Sequence, residues 1–179
     1  MRIIGGEYRS RILADIQGDN VRPTSDRARE ALFNILSLHV RGARVLDLFA
    51  GSGALGLESL SRGAKEATFN DVSKDSVAIV KKNVATLKVG ERANVFQLDY
   101  AAFLAAVREP FDLIFIDPPY RFDYGLNALQ MIAQKRILSE NGIAVYERDR
   151  PFTEEVSGLE KYDERKYGKA YLTFFRRKV

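Results

Sequence analysis

Four acidic residues stand where apolar, strand-like stretches of the sequence end: Asp47, Asp71, Asp99 and Asp117. A carboxylate in such a place can accept hydrogen bonds from a ligand or balance a cationic group. The chain has no cysteine and a single histidine, His39, which excludes thiolate or multi-histidine metal sites and cysteine nucleophiles and leaves little scope for a Ser-His-Asp triad. Chemistry in this protein must therefore use carboxylates, hydroxyls or a bound cofactor.

A glycine-rich segment follows the first of these acids. The spacing Gly51-x-Gly53-x-x-Gly56 permits a tight turn and close approach of a ligand to the backbone at a helix N-terminus. It also matches the dinucleotide-binding fingerprint, in which Asp71 is placed to hold a ribose. Taken alone, the segment admits NAD or another ligand that contains adenosine.

S-adenosylmethionine fits this segment better than NAD. Asp47 would repel a pyrophosphate but could accept hydrogen bonds from an ammonium group, and 179 residues leave no room for the substrate domain of a dehydrogenase. Asp71 would then accept from the ribose hydroxyls and Asp99 from the adenine amine. A helix cap or a turn is the alternative role for each of these three acids.

The motif Asp117-Pro118-Pro119-Tyr120 follows the apolar stretch FDLIFI. An exocyclic amine of a nucleobase is a poor nucleophile, because its lone pair is delocalised into the ring. If the Asp117 carboxylate and the Pro118 carbonyl accept its two N–H groups, they stabilise the positive charge that develops as the bond to methyl forms. Tyr120 could stack on the target base. A rigid turn alone would account for the prolines but not for the whole set.

Strand-like and helix-like stretches alternate from residue 43 onward, which predicts an α/β fold with a doubly wound, mostly parallel sheet. A small N-terminal hairpin or extended arm over 2–13 and a helix over about 25–38 precede it, and a C-terminal antiparallel hairpin closes it. The predicted strands are 43–49, 66–71, 94–98, 111–116, 142–147, 161–167 and 170–176, and the predicted helices between them are 53–62, 74–87, 100–107 and 126–134.

Length and charge indicate one domain over residues 1–179, with an arm over 1–22 and a catalytic core over 23–179. Residues 1–44 and 148–179 each carry a net charge of +3, and residues 45–147 carry −2. Basic ends suit a polyanionic partner, although an ordinary surface excess of Lys and Arg gives the same numbers. No stretch approaches a membrane span or a signal peptide, so we expect a soluble, cytoplasmic protein.

These motifs resemble a known family. DLFAGSGALG, Asp71, Asp99 and DPPY resemble the class I S-adenosylmethionine-dependent methyltransferases, and DPPY resembles their amino-methylating branch. The flanks MRIIGGEYRSRIL, RPTSDRAREALFNIL and KYGKAYLTFF are similar to those of the RsmD-type 16S rRNA guanine-N2 methyltransferases, named for guanine 966 of that rRNA. The resemblance covers essentially the whole chain in the same order.

The resemblance implies roles for individual residues. Cofactor contacts are implied at Asp47, Gly51, Gly53, Asp71 and Asp99, and target-base contacts at Asp117, Pro118 and Tyr120. It also implies that the N-terminal hairpin and the loop from Arg22 to Arg29 touch the RNA of the small ribosomal subunit, with phosphate contacts expected from Arg22, Arg27 and Arg29. Arg27 and Arg29 could equally form the solvated face of their helix.

Two departures from the family pattern concern the arm and the second strand. Ser10 stands where a glycine is common in the family, and Asn70-Asp71-Val72-Ser73 varies the usual acidic run after the second strand. The first affects the turn of the predicted hairpin, and the second keeps the ribose acceptor in place as Asp71.

Two other functions stay open from the sequence. DPPY is equally typical of adenine-N6 DNA methyltransferases, because guanine N2 and adenine N6 present similar amines. The chain lacks space for a sequence-reading domain, however. A non-catalytic RNA-binding assembly factor that keeps a methyltransferase fold is the second alternative, although a pure binder has no chemical need for the strand-end acids and DPPY. The sequence favours a monomeric enzyme that uses S-adenosylmethionine and binds 16S rRNA or the small ribosomal subunit.

Overall fold

The computed structural model describes residues 1–16, 25–119 and 123–179, and within these ranges it contains one mixed sheet flanked by helices. The strands are β1 Arg44–Asp47, β2 Glu66–Asn70, β3 Ala93–Phe96, β4 Phe111–Ile116, β5 Leu138–Arg148, β6 Leu159–Tyr167 and β7 Ala170–Arg177. The helices are α1 Asp26–Ile35, α2 Ser37–Val40, α3 Ala54–Ser61, α4 Lys74–Leu87, α5 Tyr100–Ala106 and α6 Tyr124–Gln134, with a short 3₁₀ turn at Gly90–Arg92.

The described strands lie in the order β3-β2-β1-β4-β5-β7-β6. Pairs from β3 to β5 are parallel, while β7 runs antiparallel to both β5 and β6. The predicted doubly wound sheet and its C-terminal hairpin are therefore confirmed. The strand order reverses between β1 and β4, and ligands of open α/β sheets bind at the carboxyl ends of the strands beside such a reversal.

Apolar residues on both faces of the central strands hold the helices in place. Along β4, Leu113 and Phe115 pack into one core with Val45, whereas Ile114 and Ile116 pack into the core on the opposite face. Such strands have side chains covered on both sides, which explains their near-continuous apolar sequence.

Helix α4 has the bounds that the sequence predicts. The Ser73 side chain caps its first turn by accepting from the amide N of Ser76 at 3.3 Å. Val77, Val80, Val84 and Leu87 form its buried face.

The N-terminal arm, of which the structure describes residues 1–16, is less regular than the predicted hairpin. One antiparallel bridge joins Arg2 to Ile12, and no strand forms there in the described part of the chain. The arm instead docks on α3, where both carboxylate oxygens of the fully buried Glu58 accept backbone amides, from Ile4 at 2.8 Å and from Gly5 at 2.9 Å. Hydrogen bonds to α3 and the buried side chains of Ile3 and Leu13 thus anchor the arm, while most of its other residues stay exposed or partly buried.

Strand β5 begins four residues earlier than predicted, at Leu138 rather than Gly142. Its pairing with β4 is irregular between Phe111 and Leu113, where the Ser139 hydroxyl donates to the Asp112 carboxylate at 2.8 Å. Because polar residues occupy this bulge, apolar runs alone do not reveal the first part of the strand.

Among the helices described, none is long and apolar enough to cross a membrane.

Candidate active site

All four acids singled out by the sequence lie at the carboxyl edge of the sheet. Asp47 is the last residue of β1, Asp71 directly follows β2, and Asp117 directly follows β4. Asp99 follows β3 by three residues. Because β3, β2, β1 and β4 are adjacent and parallel, their carboxyl ends form one continuous edge.

Over the ranges that the structure describes, no group of three or more His, Asp or Glu side chains could hold a metal ion.

Asp71 braces the glycine-rich loop. One of its carboxylate oxygens accepts from the amide N of Gly51 at 2.9 Å, and the other accepts from the amide N of Ser73 at 2.9 Å. Gly51 and Gly53 both have a left-handed backbone, with φ of 58° and 86°, a conformation that glycine adopts without strain. The loop between β1 and α3 is therefore held in a fixed shape beside the start of α4.

Gly56, the third glycine of the motif, is required by packing. A Cβ atom at this position would lie 2.3 Å from Cε1 of Phe69 in β2, so only glycine lets α3 approach the sheet this closely.

Asp47 is buried beneath that loop. Its Oδ2 accepts from the amide N of Gly56, in the first turn of α3, at 3.0 Å, so this bond joins the end of β1 to the start of α3. Burial raises the pKa of the Asp47 carboxyl group to about 7; the Gly56 hydrogen bond opposes this rise, and the negative charge of Asp71 adds to it. A cation placed against Asp47 would favour its ionised form.

Asp99 is exposed and acts as the N-cap of α5. Its Oδ2 accepts from the amide N of Ala101 at 3.0 Å and from that of Ala102 at 3.4 Å. The alternative role that the sequence left open for Asp99 is thus present. The other carboxylate oxygen is not used in these bonds and can accept from a ligand.

Three apolar side chains that the sequence analysis did not single out lie exposed beside these acids: Val72 (69% exposed), Phe96 (44%) and Leu98 (39%). They follow or end β2 and β3. Apolar surface next to hydrogen-bond acceptors matches the two properties of adenosine, a flat ring and polar edges. An apolar residue directly after a strand-end acid, where the chain leaves the sheet, is the sequence signal that could have identified Val72.

Asp117 is half-buried, Pro118 is buried and Pro119 is exposed. Tyr120, expected to stack on a target base, lies outside the described residues. A small pocket adjoins the two prolines and is lined by Pro118, Pro119, Asp123 and the segment from Tyr146 to Arg150. The end of β5 thus joins the end of β4 in shaping this part of the edge.

Three aromatic rings cross the edge between the glycine-rich loop and α6. Phe49 lies 5.4 Å from Tyr100, and Tyr100 lies 5.2 Å from Tyr124, measured between ring centroids. All three are half-buried and pack in tilted geometry. The row was not predicted, because its members are far apart in the sequence.

The arginines expected to contact phosphate differ in position. Arg22 lies outside the described residues, and Arg27 is exposed on α1. Arg29 is only 2% exposed, and its Nη2 donates to the Arg2 carbonyl at 2.7 Å and to the Asp26 carboxylate at 3.0 Å. This placement differs both from a phosphate contact and from a solvated helix face, because Arg29 has no open surface and instead ties the N-terminal arm to α1.

The chain is similar in sequence and fold to several known proteins. A family model described as "Conserved hypothetical protein 95" matches residues 1–176. The Haemophilus influenzae protein named ribosomal RNA small subunit methyltransferase D is 38% identical over 84% of this chain and 81% of its own length. The solved structure of a hypothetical protein from Thermus thermophilus has a TM-score of 0.85 and 31% identity, covering 98% of this chain and 99% of that one. At the level of the fold alone, SMU.776, solved in complex with SAH, has a TM-score of 0.62 and 17% identity over 82% of this chain and 48% of that one.

Proposed function

The chain belongs to the family of conserved hypothetical protein 95, the RsmD-type methyltransferases, and from this premise we propose that it transfers methyl from S-adenosylmethionine to the exocyclic N2 of a guanine in 16S rRNA. The observation that carries the proposal is the position of Asp117-Pro118-Pro119. The motif directly follows β4, which is paired with β1, so its acceptors lie one strand away from the glycine-rich loop. A donor bound at the loop and an amine held at Asp117 would therefore be neighbours.

The residues at the carboxyl edge fit S-adenosylmethionine. The buried Asp47 would be favoured in its ionised form by the ammonium group of the ligand, and Asp71 and Asp99 would accept from the ribose and the adenine amine. Val72 and Leu98 offer an exposed apolar surface for the adenine ring. When bound, the cofactor supplies a methyl group on a positively charged sulfur that departs as a neutral thioether.

Asp117 and Pro118 would act on the target amine. The Asp117 carboxylate and the Pro118 carbonyl accept its two N–H groups, which directs the nitrogen lone pair out of the plane of the base. As that lone pair forms the new N–C bond, the nitrogen becomes positively charged, and the adjacent carboxylate stabilises this charge. In this proposal the Asp117 carboxylate also takes the proton that the product amine must lose. Tyr120 is proposed to stack on the base.

The rRNA substrate is supported by the name of the Haemophilus relative and by the basic ends of the chain. The proposed phosphate contacts are Arg27, exposed on α1, and Arg22, which precedes that helix in the sequence, whereas Arg29 is buried and donates to the Arg2 carbonyl of the arm. We propose that the protein acts as a monomer in the cytoplasm, on the rRNA or on an assembling small subunit.

Methyl incorporation from labelled S-adenosylmethionine tests the proposal. The substrates are naked 16S rRNA, undermethylated small ribosomal subunits and duplex DNA, each followed by nucleoside analysis. Asp117→Ala is assayed alongside, with Glu140→Ala as the control, since Glu140 is an exposed acid near the start of β5 and lies away from the carboxyl edge. We expect N2-methylguanosine from RNA or subunits, and a fall in turnover of roughly 10²–10³ in Asp117→Ala with cofactor affinity nearly unchanged.

Three other outcomes would contradict the proposal. N6-methyladenine in DNA would make the chain a DNA methyltransferase. Cofactor binding without methylation of any nucleic acid would support the non-catalytic assembly factor. Full activity in Asp117→Ala would refute the proposed role of that carboxylate.

A further inference from the structure

Glu147 is the neighbour of Asp117 across the end of the sheet. The β4–β5 register pairs Ile116 with Tyr146, and Asp117 and Glu147 are the next residues along these two parallel strands. Neighbouring strands lie about 4.8 Å apart. Two carboxyl-bearing residues therefore stand side by side at the carboxyl edge.

The two side chains also belong to the same face of the sheet. Phe115 and Val145 pack into one core, and Ile116 and Tyr146 pack into the other. Continuing this alternation by one residue returns both acids to the face of Phe115 and Val145. On that face, Phe33 of α1 packs on Phe115, with their ring centroids 5.7 Å apart.

Glu147 is a buried acid and not an ordinary surface residue. Only 4% of its surface is exposed, it interacts with other groups of the protein, and it lines the small pocket next to Pro118 and Pro119. Glutamate is rarely buried to this degree without a specific reason. Asp149, two residues along, lines the same pocket but is exposed.

We propose that Glu147 is a specificity-determining residue that accepts the N1–H group of the target guanine; this inference rests on the function proposed above. Guanine presents an unbroken row of donors, N1–H beside the two N2–H groups, whereas N1 of adenine is an acceptor beside the N6 amine. With Asp117 and Pro118 on the amine, an acceptor beside Asp117 matches guanine. The same acceptor faces the N1 lone pair of adenine and repels it.

Base analogues at the target position test this contact. Semisynthetic small-subunit rRNA, used naked or assembled with ribosomal proteins, carries either guanine or 2,6-diaminopurine at the methylated site. Diaminopurine keeps the reactive 2-amine but has an acceptor at N1 and an amine in place of O6. The quantity measured is the ratio of kcat/KM for guanine to kcat/KM for diaminopurine, in the wild type, in Glu147→Gln and in the control Glu140→Gln, an exposed glutamate near the start of the same strand.

We expect the wild type to prefer guanine by about 100-fold. Glu147→Gln should lower this ratio by about 10-fold or more, because a glutamine amide can accept from N1–H or donate to an N1 lone pair. Glu140→Gln should leave the ratio within about twofold of the wild type. Cofactor affinity should be unchanged in both variants, since neither residue lies near the glycine-rich loop in the strand order.

A purely structural role for Glu147 predicts a different pattern: Glu147→Gln lowers both rates equally and leaves the ratio unchanged, which overturns the inference. A wild type that does not discriminate against diaminopurine overturns it without any variant. If Glu147→Gln does not fold, Glu147→Asp, which withdraws the carboxyl group by one methylene, takes its place. The guanine to diaminopurine ratio of kcat/KM in the wild type and its fall in Glu147→Asp then test the contact. If the wild type methylates no guanine, the proposed function fails first and this inference fails with it.

Discussion

Asn83 and Ala14 are joined by a reciprocal pair of hydrogen bonds. The amide N of Ala14 donates to Oδ1 of Asn83 at 2.8 Å, and Nδ2 of Asn83 donates to the Ala14 carbonyl at 2.9 Å. The same Nδ2 donates to the carbonyl of Ser52, in the glycine-rich loop, at 3.0 Å. One fully buried side chain of α4 thus connects the N-terminal arm to the proposed cofactor site.

Replacing Asn83 by Ala should loosen both partners at once. The substitution removes three hydrogen bonds and leaves their backbone partners unsatisfied, so we expect a loss of about 2–4 kcal/mol in the free energy of unfolding. S-adenosylmethionine should also bind more weakly, because Ser52 loses its anchor. Hydrogen exchange at the Ala14 amide, denaturant unfolding and calorimetry measure these effects. Lys82→Ala, an exposed neighbour on α4, is the control, and unchanged exchange at Ala14 in Asn83→Ala would refute the connection.

Asp47 should make the stability of the protein depend on pH. Its pKa is about 7 in the folded protein against an ordinary value of 3.8, so between these values the folded state holds a proton that the unfolded chain has released. The contribution of Asp47 to stability is therefore present below about pH 4 and is lost as the pH rises through 7. Asp47→Asn should be close to neutral at pH 4 and stabilising at pH 8, by up to about 4 kcal/mol. Denaturant unfolding of the two proteins across this range checks the difference.

Cofactor affinity should rise with pH for the same reason. A bound ammonium group favours ionised Asp47, so binding below pH 7 must release the proton, whereas binding above pH 7 need not. Affinity for S-adenosylmethionine should increase up to about pH 7 and then level off. Calorimetry in buffers of different ionisation enthalpy detects the released proton. Equal proton release in Asp47→Asn would show that another group is responsible.

Arg27 and Arg29 should respond differently to replacement by Ala. Arg27→Ala should leave stability within about 0.5 kcal/mol of the wild type and reduce the salt slope of RNA binding by about 0.7–0.9, the value for one phosphate contact. Arg29→Ala should lose about 2–4 kcal/mol of stability, because the buried guanidinium holds Arg2 and Asp26. Filter binding across a KCl series and denaturant unfolding measure the two effects. Salt slopes that are unchanged in Arg27→Ala would leave Arg27 as an ordinary surface residue.

Ser10 and Gly6 form a matched pair for backbone strain in the arm. Ser10 has φ of 70°, a left-handed conformation that is unfavourable for serine, and it is exposed. Ser10→Gly should therefore stabilise the protein by about 0.5–1 kcal/mol. Gly6→Ala should be strongly destabilising, since its Cβ would lie 2.0 Å from the Ser61 carbonyl oxygen. Thermal and denaturant unfolding compare the two, and a destabilised Ser10→Gly would contradict the assignment of strain.

Strand β4 and helix α4 could be predicted with their observed bounds because their apolar periodicity is regular and their ends are marked by Pro110 and Ser73. The acids at the carboxyl edge could be located for a related reason, since the end of a parallel strand is visible in the sequence. The glycine-rich loop carried the same kind of local signal.

Contacts across distant segments could not be predicted. Arg29 was expected at the surface, although it precedes the buried Phe33 by one helical turn, which was the available sign of its burial. The position of Asp99 at the edge of the sheet could be predicted, but its role could not, because the same carboxylate can cap a helix and bind a ligand. Glu147 ends a predicted strand but was not predicted as a site residue, because its position beside Asp117 follows from strand pairing and not from a local pattern in the sequence.

The docking of the N-terminal arm affects how the chain can fold during synthesis. The arm leaves the ribosome first, but the side chains of Glu58, Ser61 and Asn83 that hold it lie 53 to 69 residues later in the chain. The arm can therefore dock only when α4 has emerged from the ribosome, and until then it is accessible to proteases. Nascent chains in which residue 83 is still inside the ribosome should be cleaved in the arm, and chains long enough to expose α4 should be protected.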